Sequence, residues 1–157
     1  MCLRVLMDSV LGQSFRPSIC IAADSLHLAV LIPTSSYWPE GRAAVGAISL
    51  AVETVNADNM LGGKELTFSW KQIPCSPPAA MNALTAMLQE GPVDAVIGPD
   101  CSSACESTAM LTRGLRLAQV SYSCSSIGLS NKDNYPTVSP TTCPQACAGS
   151  CIAHSPS

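Results

Sequence analysis

The spacing of apolar positions changes several times along the chain, and the changes predict an alternation of strands and helices. Residues 26–32, LHLAVLI, are a nearly continuous apolar run ending at Pro33 and a Thr-Ser-Ser sequence, the pattern of a buried strand entering a loop. From Gly41 to Asp58, Val45, Ile48, Val52 and Val55 recur at helical spacing, and Leu61, Gly62 and Gly63 form a stop. In ELTFSW, residues 65–70, Leu66, Phe68 and Trp70 alternate onto one face of a second strand, the better buried one. After Pro77 and Pro78, Met81, Leu84 and Leu88 make a second helical stripe that ends near Gly91 and Pro92. DAVIG is a very short third strand, and GPDCSSACES, residues 98–107, opens a third helix. Ser102 or Ser103 is the expected N-cap there, with Glu106 as the capping-box partner of Ser103. RLAQVSY, residues 116–122, reads as the next strand.

Strands alternating with helices through short loops imply right-handed βαβ units and a parallel sheet, half of a doubly wound α/β fold. Beyond Tyr135 the apolar period is lost, and Pro, Ser, Thr and Cys dominate. The expected division is therefore a leader or mispredicted start over residues 1–25, a folded region over 26–137 and an irregular tail over 138–157.

Composition narrows the function classes. The 157 residues are 47% apolar and 12% charged, enough for one real core and unlike a disordered chain. The net charge is −3 and the eight Lys and Arg are scattered, so the basic footprint of a nucleic-acid binder is absent. Nine cysteines with no C-x-x-C spacing favour disulfides in an oxidising compartment. No apolar run approaches the length of a membrane span.

In an open parallel sheet, ligands lie beyond the carboxyl ends of the strands. Three loops qualify: those after the first, third and fourth strands, all rich in Ser or Thr. A small anion at Ser102 would meet free helix amides, and Ser125 and Ser126 stand on the adjacent loop. Read alone, Ser102 is simply a helix cap. Tyr37 and Trp38 could line the same crevice or pack on their own domain. Nucleophilic catalysis lacks a base, because His27 starts a strand, where its ring is expected to be satisfied, and His154 lies in the tail. Asp94 and Asp100 read as turn and loop residues. A zinc site at Cys101 and Cys105 would need two more ligands from Cys143, Cys147 and Cys151, so no metal is assigned. Disulfides fit better: Cys75 follows the second strand and Cys101 the third, so both lie at the same edge of the sheet and could meet, and Cys105 is within reach of Cys124.

The order LAVLIP, AVETVNAD, LGG, Cys75, VIGPDCSSACES and AQVSYSCSSIGLSNKDNYPT resembles the extracellular ligand-binding region of the type I periplasmic-binding-protein fold. That family includes receptor guanylyl cyclases and class C G-protein-coupled receptors such as GABA-B. The resemblance covers residues 26–137 and rests most on G-P-x-C-S (Gly98, Pro99, Cys101, Ser102) and on the run from Ser121 to Thr137. It implies the first, incomplete lobe of a clamshell and the same Cys75–Cys101 pairing. It also implies that Ser102 and Ser125 contact a ligand carboxylate, with Ser103, Ser126 and Tyr122 around them. In the natriuretic branch the same turn holds chloride, which Asp100 and Cys101 would flank; otherwise no cofactor is expected. Asp100 replaces the family's usual glycine. Val138, Ser139 and Pro140 replace the usual aromatic and arginine, so the chain reads as a fragment or a mispredicted gene.

The expectation is an extracellular ligand-sensing lobe of a membrane receptor, a binding module and not a catalyst, that takes a small molecule or peptide and belongs to a receptor dimer. Cys105 and Cys124 place it nearest the guanylyl cyclases. The alternatives are a GABA-B-like receptor lobe and a soluble cysteine-based redox or zinc protein.

Overall fold

The computed structural model describes residues 25–33 and 41–141. The leader assigned to residues 1–25, apart from Ser25, the aromatics Tyr37 and Trp38, and Cys143, Cys147, Cys151 and His154 lie outside the described residues.

Five strands form one parallel sheet in the order β2-β1-β3-β4-β5. They are β1 (Ser25–Pro33), β2 (Glu65–Ile73), β3 (Ala95–Ile97), β4 (Ala118–Ser121) and β5 (Val138–Pro140), with α1 (Gly41–Ala57), α2 (Pro77–Glu90) and α3 (Ser102–Leu115) between the first four. The chain steps one way from β1 to β2 and then reverses to β3 and β4. Right-handed crossovers therefore put α1 on one face and α2 and α3 on the other. The α/β doubly wound expectation holds, and the carboxyl ends of β1, β3 and β4 meet where strand order reverses.

Register divides the β1 residues between the faces. Ala29 and Leu31 join Ile73, Ala80, Leu84, Met87, Val96 and Ala104 in the core between the sheet and α2 and α3. Each large apolar side chain buried there is worth about 1.5–3 kcal/mol. Leu28 and Val30, paired with Phe68 and Trp70, face α1. That layer is thinner than the alternation in ELTFSW suggests: Leu66 and Phe68 are only half-buried and Trp70 is 47% exposed. β2 is an edge strand, and α1 is the one helix on that face among the described residues.

The α1–β2 connection shows how the stop signal works. Asn59 and Gly62 adopt positive φ (52° and 62°), and the Gly63 amide donates to Asn59 Oδ1 at 2.6 Å. Asn56 then clamps the next strand, donating to the Leu66 carbonyl (2.9 Å) and accepting its amide (2.8 Å). At the end of α3 the expectation shifts by two residues. Arg116, expected to open the strand, takes the left-handed conformation at φ 56° and closes the helix through Leu117 N–H to the Thr112 carbonyl, 2.9 Å. β4 begins only at Ala118.

The boundary at residue 137 is corrected. Val138, Ser139 and Pro140 do not open an irregular tail but pair in parallel with Gln119, Val120 and Ser121. Val138 is buried in a second core with Cys105, Ala109, Cys124 and Leu129, against which Tyr135 packs. Three residues are too few to show a period, and Pro140 is tolerated because β5 is an edge strand.

Candidate functional site

The site is built at the carboxyl end of β3. Gly98 turns the chain with φ 88°, donates its amide to the Val120 carbonyl at 2.7 Å, and precedes a cis peptide to Pro99. A side chain there would strike the Leu31 carbonyl and approach Tyr122 Cε1 at 3.3 Å. Tyr122 donates to that same Leu31 carbonyl at 3.3 Å. Its phenol is pushed well above the ordinary value by burial and then by the nearby Asp100 carboxylate.

A buried polar network fixes this turn to α3. Gln119, on β4, donates to the Gly98 carbonyl (3.0 Å) and to Thr108 Oγ1 (2.9 Å), and Thr112 Oγ1 donates to Gln119 Oε1 at 3.1 Å. Every polar atom of the Gln119 side chain is thereby satisfied. Ser121 adds a further tie, donating to the Pro99 carbonyl at 3.1 Å and accepting the Cys124 amide at 3.0 Å. Gln119 did not stand out in the sequence, where a Gln in the middle of a four-residue strand was the available signal, and Ser121 stood out only as the start of the Ser121–Thr137 run.

Two cystines flank the first turn of α3. Cys75 is bonded to Cys101, with Cα atoms 5.6 Å apart, and Cys105 to Cys124, at 6.6 Å. The first lies at the surface, whereas Cys105 and Cys124 are 0% and 1% exposed. Among the described residues no group of His, Cys, Asp and Glu could hold a metal ion.

The sequence-predicted residues separate into two sets. The N-cap is Cys101, not Ser102 or Ser103, and no side chain bonds the free amides as a cap. Ser103 lies 3.4 Å from Cys101 Sγ and 3.9 Å from Cys75 Sγ, against the cystine. Glu106 makes no capping box: its Oε1 accepts from Ser126 Oγ at 2.5 Å and holds the β4 loop to α3. Ser103, Ser126 and Tyr122 are thus engaged within the fold. Ser102 and Ser125 are half-buried and make no side-chain hydrogen bond among the described residues.

The two other candidates behave as supports. His27 is held by Thr67 Oγ1 at 2.8 Å and Ser69 Oγ at 2.9 Å, so its ring is satisfied. Asp94 accepts the His27 amide at 2.8 Å as a turn residue. Asp100 differs: burial pushes its carboxyl above the ordinary carboxylate value, outweighing the nearby backbone amides of Asp100 and Cys101, which favour the charge.

A group whose folded pKa is raised contributes most stability below its unfolded value, and that contribution is lost as pH climbs through the folded value. Asp100→Asn keeps an acceptor and removes the charge. The variant should therefore be more stable than the wild type near neutrality, with the advantage vanishing below about pH 3. Urea midpoints at both pH values check this; an advantage that grows on acidification contradicts it.

The comparisons bear on what such a site serves. Residues 43–153 match the receptor family ligand binding region. The chain belongs to that family. Mouse gamma-aminobutyric acid type B receptor subunit 1 is 32% identical over 114 residues, which are 72% of this chain and 12% of that protein. Guanylate cyclase 32E of Drosophila melanogaster is 34% identical over 112 residues, 68% of this chain and 9% of that protein. The Resact receptor of Arbacia punctulata is 32% identical over 98 residues, 62% of this chain and 10% of that protein. The chain thus spans about a tenth of the relatives it matches. The receptor lobe is a ligand-binding module, and the redox and zinc readings are not favoured. Among its described residues no helix is long and apolar enough to cross a membrane.

Proposed function

We propose that this lobe forms one wall of an extracellular ligand site in a membrane receptor and that Ser102 and Ser125 make the polar contacts. The observation that carries the reading is the contrast among the loop hydroxyls: Ser103, Ser126 and Tyr122 are spent on the fold, whereas Ser102 and Ser125 are half-buried without a partner among the described residues. Both stand at the strand carboxyl ends where order reverses, the place an open α/β sheet offers a ligand. A second lobe closing over this wall would supply the remaining contacts and transmit closure to a paired receptor. The ligand is a small molecule or short peptide, and the parent is either a receptor guanylyl cyclase or a GABA-B-like receptor.

The test is spectral mapping. Amide spectra of the chain are recorded against a panel that includes γ-aminobutyric acid, other amino acids, simple amines and simple carboxylates. Compounds that bind should perturb residues 98–103 and 122–126, and Ser102→Ala or Ser125→Ala should weaken them by about fivefold to tenfold, one hydrogen bond's worth. Hits confined to the shallow pocket of Asn56, Asn59, Gly63, Lys64 and Glu65, at the far end of the sheet, would remove the assignment.

A further inference from the structure

The two cystines differ in their access to solvent. Cys105 and Cys124 are 0% and 1% exposed, sealed in the second core. The Cys75–Cys101 bond lies at the surface and is asymmetric: Cys75 is exposed, whereas Cys101 is half-buried and packs against the core between the sheet and α2 and α3. One hydroxyl attends that bond. Ser103 Oγ lies 3.4 Å from Cys101 Sγ and 3.9 Å from Cys75 Sγ, nearer the shielded sulfur.

We propose that Cys75 is a site of S-thiolation: a small thiol exchanges into the Cys75–Cys101 bond at Cys75 and so releases the segment that carries Ser102. In such an exchange a thiolate attacks one sulfur while the other leaves, and access decides which is attacked. Cys75 offers the approach. A new S–S bond forms between the attacking sulfur and Cys75 Sγ. The Cys75–Cys101 bond breaks, and its electron pair departs on Cys101 Sγ, which then takes a proton from water. The small thiol is thereby oxidised to half of a mixed disulfide, and Cys101 is reduced to a thiol. Ser103 donates to the departing sulfur, so the charge develops beside a hydroxyl. The step reverses when the Cys101 thiolate attacks Cys75 Sγ and expels the small thiol, which restores the cystine.

The consequence is local. Pro99 is held through its carbonyl by Ser121, and Ala104 is fully buried in the core. Between those two anchors, the cystine ties the stretch from Asp100 to Ser103 to the end of β2, and no side chain caps α3. Opening the bond frees Ser102, while Gly98, Cys105 and the loop of Ser125 keep their own ties. The effect on binding rests on the reading that Ser102 faces a ligand; the exchange itself does not.

The experiment blocks free thiols of the 157-residue chain by alkylation and then adds reduced glutathione. Samples are quenched with acid, alkylated with a second reagent and mapped by fragment mass spectra. Glutathione should appear on Cys75, with Cys101 newly alkylated, at least about tenfold faster than on Cys101, and the Cys105–Cys124 bond should stay closed. Ser103→Ala should slow the opening about threefold to tenfold, the loss of one hydrogen bond to the leaving sulfur, and Ser103→Thr, which keeps the hydroxyl, should restore the rate. Glutathione on Cys101 in preference to Cys75 overturns the proposal, as do similar opening rates for the two cystines, no opening of either, or an alanine variant as fast as the wild type. Amide spectra of the thiolated chain should change over residues 100–103 and stay constant over 122–126. Panel compounds that bind the crevice should bind the thiolated form at least about fivefold more weakly, and equal affinity for both forms overturns the release of Ser102. If no panel compound perturbs the crevice of either form, the Ser102–Ser125 assignment falls, and the mass mapping alone decides the modification of Cys75.

Discussion

Gly98→Ala is expected to cost the fold about 3 kcal/mol or more, a large share of the stability of a domain this size. Two penalties combine. A non-glycine residue at φ 88° is strained by about 1–3 kcal/mol. The new Cβ also lands on the Leu31 carbonyl, which belongs to a central strand buried on both faces and cannot retreat. Moving it would break the Tyr122–Leu31 bond and disturb the Gln119 bond to the Gly98 carbonyl, each worth about 1 kcal/mol. Urea unfolding gives the value, and an alanine variant within about 0.5 kcal/mol of the wild type would show that the turn is looser than described.

The second large effect separates the two cystines. Loop entropy alone ranks them almost equally, at about 3 kcal/mol each, with sequence separations of 26 for Cys75–Cys101 and 19 for Cys105–Cys124. Burial reverses the slight advantage of the longer loop. The sulfurs of Cys105 and Cys124 fill the core against Ala109, Leu129 and Val138, so the Cys105→Ala/Cys124→Ala pair also leaves a cavity. It should lose about 4 kcal/mol, and Cys75→Ala/Cys101→Ala, at the surface, should lose less. Chemical unfolding of the two double variants decides between area and loop length: if the surface pair is the costlier, packing in the second core matters less than argued.

The legibility of these features in the sequence follows their physics. β1 was readable because a central parallel strand is buried on both faces and needs a continuous apolar run. The α1 stop was readable because Gly62 and Gly63 supply backbone conformations other residues avoid. Glu106 was misread because one spacing serves two geometries: a capping box reaches three residues back, whereas the actual bond reaches Ser126, 20 positions away. Gln119 was invisible because burying an amide is cheap only when Thr108, Thr112 and the Gly98 carbonyl converge on it, which chain order does not display. The Cys75–Cys101 pairing was legible because both residues follow strands at the same edge of the sheet and the family resemblance implies the same bond, whereas Cys105–Cys124 was only within reach. The division of the hydroxyls into engaged and unengaged needed coordinates.

The Leu31 carbonyl receives the Tyr122 hydroxyl and abuts Gly98, while Gln119 and Ser121 donate to the Gly98 and Pro99 carbonyls of that turn. The tips of β1, β3 and β4 are therefore one stiff joint; the Cys105–Cys124 bond fastens α3 to it beyond β4, and the Cys75–Cys101 bond ties the start of α3 to the end of β2. Under the proposed function, a ligand pressing on Ser125 would act on this joint rather than on a single loop, and the lobe would answer by tilting as one body like a lever.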